Sequence, residues 1–211
     1  VAEAIASARE RPSAPPPSGR DSIMRIERLS FSTLEQAKCL LNREFPEQFW
    51  WESSDIALTV SLYKDAASRP VRRFLSRTLL RVAGITSVCY WVAVDGDAVV
   101  GVSGYYVRRD DPPDTGWAAW SCVAPEFRQG LPRVGGALIR TVASEAARDG
   151  KRMVRLYTVS TAPAMLNFLI RRGFKATRRV GHFPSLEKVR YLEGDLQALL
   201  RARAITPEGR T

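Results

Sequence analysis

One stretch constrains the fold of this chain more than any other: Val123-Ala124-Pro125-Glu126-Phe127-Arg128-Gln129-Gly130-Leu131-Pro132-Arg133-Val134-Gly135-Gly136-Ala137-Leu138-Ile139-Arg140. The apolar run Trp117–Val123 before it reads as a strand. From Val134 onward, Ala137, Leu138, Thr141, Val142, Glu145 and Ala146 fall in helical spacing, and Gly150 stops the helix. A strand, a Pro/Gly/Arg loop and a helix start in succession admit two readings. Glycines there let backbone N–H groups approach an anion, and the helix N-terminus adds partial positive charge. Arg128 and Arg133 suit phosphate oxygens geometrically, so a phosphorylated cofactor would sit here. The other reading is an ordinary glycine-rich strand-to-helix turn, because short glycine motifs are weak signals.

The rest of the composition narrows the class. A chain of 211 residues suits one domain with extensions, and 45% apolar residues is ordinary for a globular protein. No apolar run approaches the ~18 residues that span a bilayer, and the first residues hold no apolar leader core, so a cytoplasmic protein with no membrane partner is expected. Three cysteines (Cys39, Cys89, Cys122) stand far apart, and His182 is the sole histidine, which argues against a metal site. The cysteines read as buried free thiols in a reducing compartment. The formal net charge is +10. An Arg-rich surface explains it; so does an anionic partner such as a phosphorylated cofactor, an acidic substrate or, less readily, nucleic acid.

Residues 1–22 carry the run Arg11-Pro12-Ser13-Ala14-Pro15-Pro16-Pro17 and read as a Pro-rich tail or linker. The acids of that tail cancel its arginines, which places the whole excess charge in the folded part. Residues 23–196 are expected to form the domain, and 197–211 a C-terminal extension. Ile23–Leu29 alternates as a strand. Ser32-Thr33-Leu34-Glu35 reads as a capping box that opens a helix to Glu44. Asp55–Ala67 and Pro70–Val82 read as helices, with Pro70 at a first helical position and Gly84 as a stop. In the latter, Arg72, Arg73, Arg77 and Arg81 share one side, which reads as its solvated face. Ser87–Val94 and Ala98–Val107 flank Asp95-Gly96-Asp97, a strong hairpin signal. After the central motif come a strand at Arg152–Val159, a helix at Pro163–Arg172, strands at Phe174–Val180 and Val189–Leu192, and a short helix at Leu196–Arg203. The predicted fold is α/β, with a central mixed, mostly antiparallel sheet of about six to seven strands and helices on both faces.

That order, with a phosphate-type loop after the strand that follows the hairpin, resembles the GNAT superfamily of acyl-CoA-dependent N-acyltransferases. The resemblance spans roughly Ile23 to Leu196. Its most specific parts are Val123-x-Pro125-Glu126-Phe127-Arg128 followed by Ala137-Leu138, and Phe168-Leu169-x-x-x-Gly173-Phe174. The chain also departs from the pattern. The family's loop usually reads Gln/Arg-x-x-Gly-x-Gly/Ala. Anchored on Ala137-Leu138, its six places fall on Gly130, Leu131, Pro132, Arg133, Val134 and Gly135, and the last alone matches. Many members place a Tyr four residues before the Gly-Phe pair to protonate the departing CoA thiolate, and here that place is Leu169. The strand Trp117–Val123 also lacks the Glu often used as general base.

The resemblance implies an N-acetyltransferase that uses acetyl-CoA as cosubstrate and an amine as acceptor. Acyl transfer to an amine needs a neutral amine, a stabilised oxyanion and a protonated thiolate. By resemblance, Cys122, Val123 and Ala124 present main-chain groups to the thioester arm. Arg128, Gln129, Gly130, Arg133, Val134, Gly135 and Gly136 hold the pyrophosphate. Tyr157, Tyr105 and Tyr106 are the candidate acids, with Ser121 and Cys122 nearby; Cys122 lacks a His partner and reads as packing. Phe45, Phe49, Trp50 and Trp51 read as core or as an apolar wall for the acceptor. Asp110, Asp111 and Asp114 read as a solvated turn or as a lure for a cationic amine. Compatible acceptors are a small amine, an amino acid, a drug or a protein amine, and a homodimer is compatible with the sequence. Two other classes compete: a non-catalytic CoA-binding regulatory module, and a basic nucleic-acid-associated protein.

Overall fold

The hairpin signal at Asp95-Gly96-Asp97 sets the frame of the sheet. β2 (Ile85–Asp95) and β3 (Ala98–Arg108) pair antiparallel along their lengths. Their tight turn holds Gly96 at φ +59°, a conformation that favours glycine. β1 (Arg25–Arg28) joins the free edge of β2. The other edge of β3 takes β4 (Thr115–Ala118) and β5 (Cys122–Val123). β4 then pairs in parallel with β6 (Met153–Val159), and β8 (Val189–Asp195) lies antiparallel between β6 and β7 (Lys175–Thr177). The order is β1-β2-β3-β4-β6-β8-β7 in a sheet of 8 strands. This computed structural model describes residues 24–45, 54–128, 134–159, 163–171, 173–177 and 189–201.

Both faces of the sheet are covered, as the alternation in β2 requires. Cys89, Trp91 and Ala93 point into one core with α4 (Val134–Arg148), α5 (Pro163–Arg171) and α6 (Leu196–Arg201). Val88, Tyr90, Val92 and Val94 point into the other, with α1 (Leu34–Glu44) and α2 (Ser54–Tyr63). α3 (Pro70–Val82) flanks that second core through Leu80. α4 lies close against the strands because β3 carries Gly101: a Cβ there would come within 2.7 Å of the Leu138 Cδ1 atom. Leu199 of α6 is buried in the same core, so close packing continues past Leu196.

Three expectations are corrected. The single strand Trp117–Val123 is two strands, which raises the count to eight. Ala118 pairs with Tyr105 and Cys122 with Val102, so residues 119–121 stand opposite Ser103 and Gly104 alone. One extra residue is a bulge, and it ends the ladder locally. The capping box is also absent. Thr33 is the N-cap and makes no side-chain cap bond; Glu35 pairs with Lys38, and the Thr33 hydroxyl faces Ser30. Finally, the outermost face of α3 is apolar, and its arginines lie to the sides. The tail 1–22, Phe49, Trp50, Trp51 and His182 fall outside the described residues.

Candidate active site

The bulge places a break beside the one parallel step of the sheet. β4 and β6 pair at Thr115–Met153, Gly116–Val154 and Trp117–Arg155, and there the ladder ends. Beyond it, Cys122 and Val123 turn back onto β3, while Leu156–Val159 pair on their far side with β8. The two strands therefore diverge. A cavity of about 770 Å³ occupies the gap and is lined from both faces of the sheet. Phe45, Tyr90, Tyr106 and Trp120 come from the α1–α3 face; Ile139, Val142 and Leu169 come from the α4–α5 face.

Phenols crowd the α1–α3 side. Tyr106 stacks on Trp117 with ring centres 6.0 Å apart. Trp117 meets Tyr191 edge-on at 6.4 Å, and Tyr191 lies 6.3 Å from Tyr157. Burial, and next the nearby Tyr157, raise the Tyr106 pKa well above the usual tyrosine value. The Tyr90 pKa is raised for the same two reasons, although its oxygen accepts a hydrogen bond from the Trp120 main chain. Groups held this way stay protonated at neutral pH, so Tyr106 and Tyr90 can give a proton and cannot serve as bases. Tyr90 was not among the sequence candidates; the alternation of β2 is the signal that puts it on this face.

Tyr105 is turned the other way. It is 2% exposed, stacks on Trp91 and donates its hydroxyl hydrogen to Asp149. Among the three tyrosines, it is the one already committed to the core.

Beneath the phenols lies an ionic pillar. Arg155 donates to Asp111 and to Glu193, each at 2.6 Å, and Trp117 Nε1 donates to the same Asp111 carboxylate at 2.6 Å. The Asp111 side chain is 1% exposed. The expectation of a solvated turn therefore fails for Asp111: its charge is neutralised in place and unavailable to a cationic amine. Asp110 is exposed; the Asp114 main-chain carbonyl accepts from Arg152 and Met153.

At the far side of the gap, Ser121 bonds Ser103 at 2.8 Å and the Ala119 carbonyl at 2.9 Å. Burial, then the nearby Glu44 carboxylate, push the Cys122 thiol up to about 12, which makes it inert packing. Ala124 donates its amide to Val100 across the ladder. Successive groups of a strand alternate between edges, so Val123 presents its main chain to the gap, and Arg128 Nε donates to the Val123 carbonyl at 2.8 Å. Arg128 also pairs with Glu44, a partner 84 positions away. Behind β5, α4 opens with Val134, Gly135 and Gly136, and a Cβ on Gly135 would come within 3.4 Å of the Val123 side chain. Gln129, Gly130 and Arg133 lie outside the described residues. Among those described, no group of three or more His, Cys, Asp and Glu is placed to hold a metal ion.

Residues 48–174 match the family model of the acetyltransferase (GNAT) family, more than half of the chain. The chain belongs to the GNAT acetyltransferase family. Solved GNAT structures share its fold. The acetyltransferase of Streptococcus agalactiae superposes with a TM-score of 0.57 at 15% identity, over 82% of this chain and 98% of that one. The PaiA N-acetyltransferase of Thermoplasma acidophilum, solved with coenzyme A, gives 0.52 at 14%, over 82% and 99%. The yncA protein of Salmonella typhimurium, solved with acetyl-CoA, gives 0.53 at 15%, over 83% and 95%. No curated protein sequence matches this one. Leu169, at the place where the resemblance puts the family's Tyr, is 6% exposed and packed in the α4–α6 core.

Proposed function

We propose that this protein transfers an acetyl group from acetyl-CoA to an amine acceptor that enters the gap from the α1–α3 face. The observation that carries the reading is the break between β4 and β6, which opens a cavity through the sheet beside a glycine-rich helix start. The residues present suit the cosubstrate. The first N–H groups of a helix have no partner within it and favour an anion, and Gly135-Gly136 leave that start unshielded. The main chain at Cys122–Ala124 would take the thioester arm, chiefly through Val123. Arg128, Gln129, Gly130, Arg133 and Val134–Gly136 would take the pyrophosphate. Acetyl-CoA supplies an activated thioester, so positioning and a neutral amine supply much of the remaining barrier reduction.

The cavity walls favour a neutral amine, because an apolar lining penalises the ammonium form. The carboxylates of Asp111 and Glu193 on this face are both ion-paired with Arg155 and do not restore the charged form. Tyr157 and Tyr106 are the side chains proposed to protonate the leaving thiolate, in the role that Leu169 cannot fill.

The test is calorimetric titration with acetyl-CoA, followed by thiol release across a panel of amines. Saturable binding with thiol release is expected. Binding without turnover on any amine assigns a non-catalytic module, and no binding sinks the reading. Arg128→Gln with Arg133→Gln is expected to weaken binding by about 3 kcal/mol. Neutral replacements are preferred because a new carboxylate at 128 would face Glu44.

A further inference from the structure

α3 wears its apolar side outward. Val71, Phe74, Leu75, Leu79 and Val82 are 70%, 69%, 54%, 55% and 82% exposed, whereas Ser76 is buried and Leu80 packs inward. At 3.6 residues per turn the five exposed apolar side chains span an arc of about 140°, opposite Ser76 and Leu80, with the exposed Thr78 the one polar side chain among them. Arg72 borders one edge of that arc; Arg77 and Arg81 border the other. Arg72 lies over the Tyr63 ring at 4.9 Å, and Arg77 donates to the Lys64 carbonyl at 2.9 Å. Among the described residues, none of the three is paired with a carboxylate. At its C-terminal end the stripe reaches the cavity, where Leu79 and Val82 join Ile56 in the lining.

We propose that α3 seats the protein on an anionic lipid surface, its apolar stripe entering the headgroup–acyl boundary while Arg72, Arg77 and Arg81 meet lipid phosphates on either side. An apolar face bordered by cations along a helix lying in the plane is the pattern of interfacial binding. Arginine stems can lie along the apolar surface with the guanidinium at phosphate level. Charge selects this occupant over a second copy. Face-to-face pairing of α3 would bring basic borders together in a chain of net charge +10, whereas anionic lipid neutralises them. The chain has no apolar run long enough to span a bilayer, and an interfacial helix needs none. The proposal stands independently of the acetyl-transfer reading.

The test is co-sedimentation of the full chain with phosphatidylcholine vesicles, with and without one quarter phosphatidylglycerol. Binding to the anionic vesicles that falls as salt rises is expected. Phe74→Ser/Leu75→Ser/Leu79→Ser keeps the charge and alters exposed positions only; it is expected to weaken binding at least tenfold with circular dichroism unchanged. Arg77→Glu/Arg81→Glu is expected to do the same, since each cation near such a surface is worth about fivefold. Failure to bind anionic vesicles overturns the proposal. So does serine-variant binding equal to the parent's, which would assign attachment to overall charge. A parent dimer in sedimentation velocity that the serine variant converts to monomer would give the face to a second copy and overturn it as well.

Discussion

The two faces of the sheet bury similar kinds of side chain and do different things with them. Under α4, α5 and α6 the core is apolar: α4 supplies Val134, Leu138, Val142, Ala143 and Ala146, and the one phenol there, Tyr105, is tied to Asp149. Under α1, α2 and α3 the inner half is equally dry, with Leu41, Leu58 and Val92 fully buried. Toward β4 and β6 that face changes to clustered phenols over a part-buried Arg–Asp pair, with the cavity beside them. The first face carries stability. The second divides its residues between stability and the candidate site, and that half keeps polar groups that a core alone would replace with leucine.

The largest test of that contrast is Leu138→Ala. Leu138 is 1% exposed and seated against Gly101, so its truncation is expected to cost about 2–5 kcal/mol in urea unfolding. A loss below about 1 kcal/mol would mean that the α4 face is not the stabilising half. Asp111→Ala comes next, with an expected cost of about 3 kcal/mol, because it leaves the Arg155 guanidinium, 13% exposed, with Glu193 as its remaining acid partner. Wild-type stability in that variant would show that the pillar is incidental.

A pH series samples both faces at once. Burial raises the Cys89 thiol from the usual 9.0 to about 11, and burial with Glu44 raises Cys122 to about 12. In each case the folded state holds the proton more tightly than the unfolded chain. Stability from these thiols is therefore full below pH 9 and is lost as pH rises through about 11 and then about 12. Both contributions begin to fall near pH 9, so Cys89→Ala is expected to flatten the alkaline decline in melting temperature up to about pH 11 and Cys122→Ala to flatten it up to about pH 12; unchanged curves would refute the assignment. The smallest stability effect belongs to Tyr157→Phe and Tyr106→Phe, at about 1 kcal/mol or less. These variants are expected to keep acetyl-CoA affinity and lose turnover. Normal turnover in both would leave protonation to solvent.

How much of this was legible in the sequence depends on how local the cause is. The hairpin, the span Pro70–Val82 and the span Val134–Arg148 were read correctly, because turn glycines, an N1 proline and helical periodicity act within a few residues. The bulge at residues 119–121 was not, because a surplus residue appears only against the register of the facing strand. Asp111 reads as a turn residue until Arg155, 44 positions away, is brought beneath it. Glu44 gives no signal before Arg128 arrives. The orientation of α3 fails for a different reason: periodicity reports which residues share a side, and the expectation that the apolar side faces inward comes from the average protein.

The parallel ladder between β4 and β6 is three residue pairs long, and every other junction in the sheet is antiparallel. Mechanically the sheet is two plates, β1–β5 and β6–β8, hung on a short seam. α4 lies across that seam, touching β2 and β3 on one plate and α6 behind the other. A wedge driven into the gap would work against the three-pair ladder and also against the packing of α4 on α6, which itself rests on β8. The opening is thus braced in part from the opposite side of the molecule from the phenols.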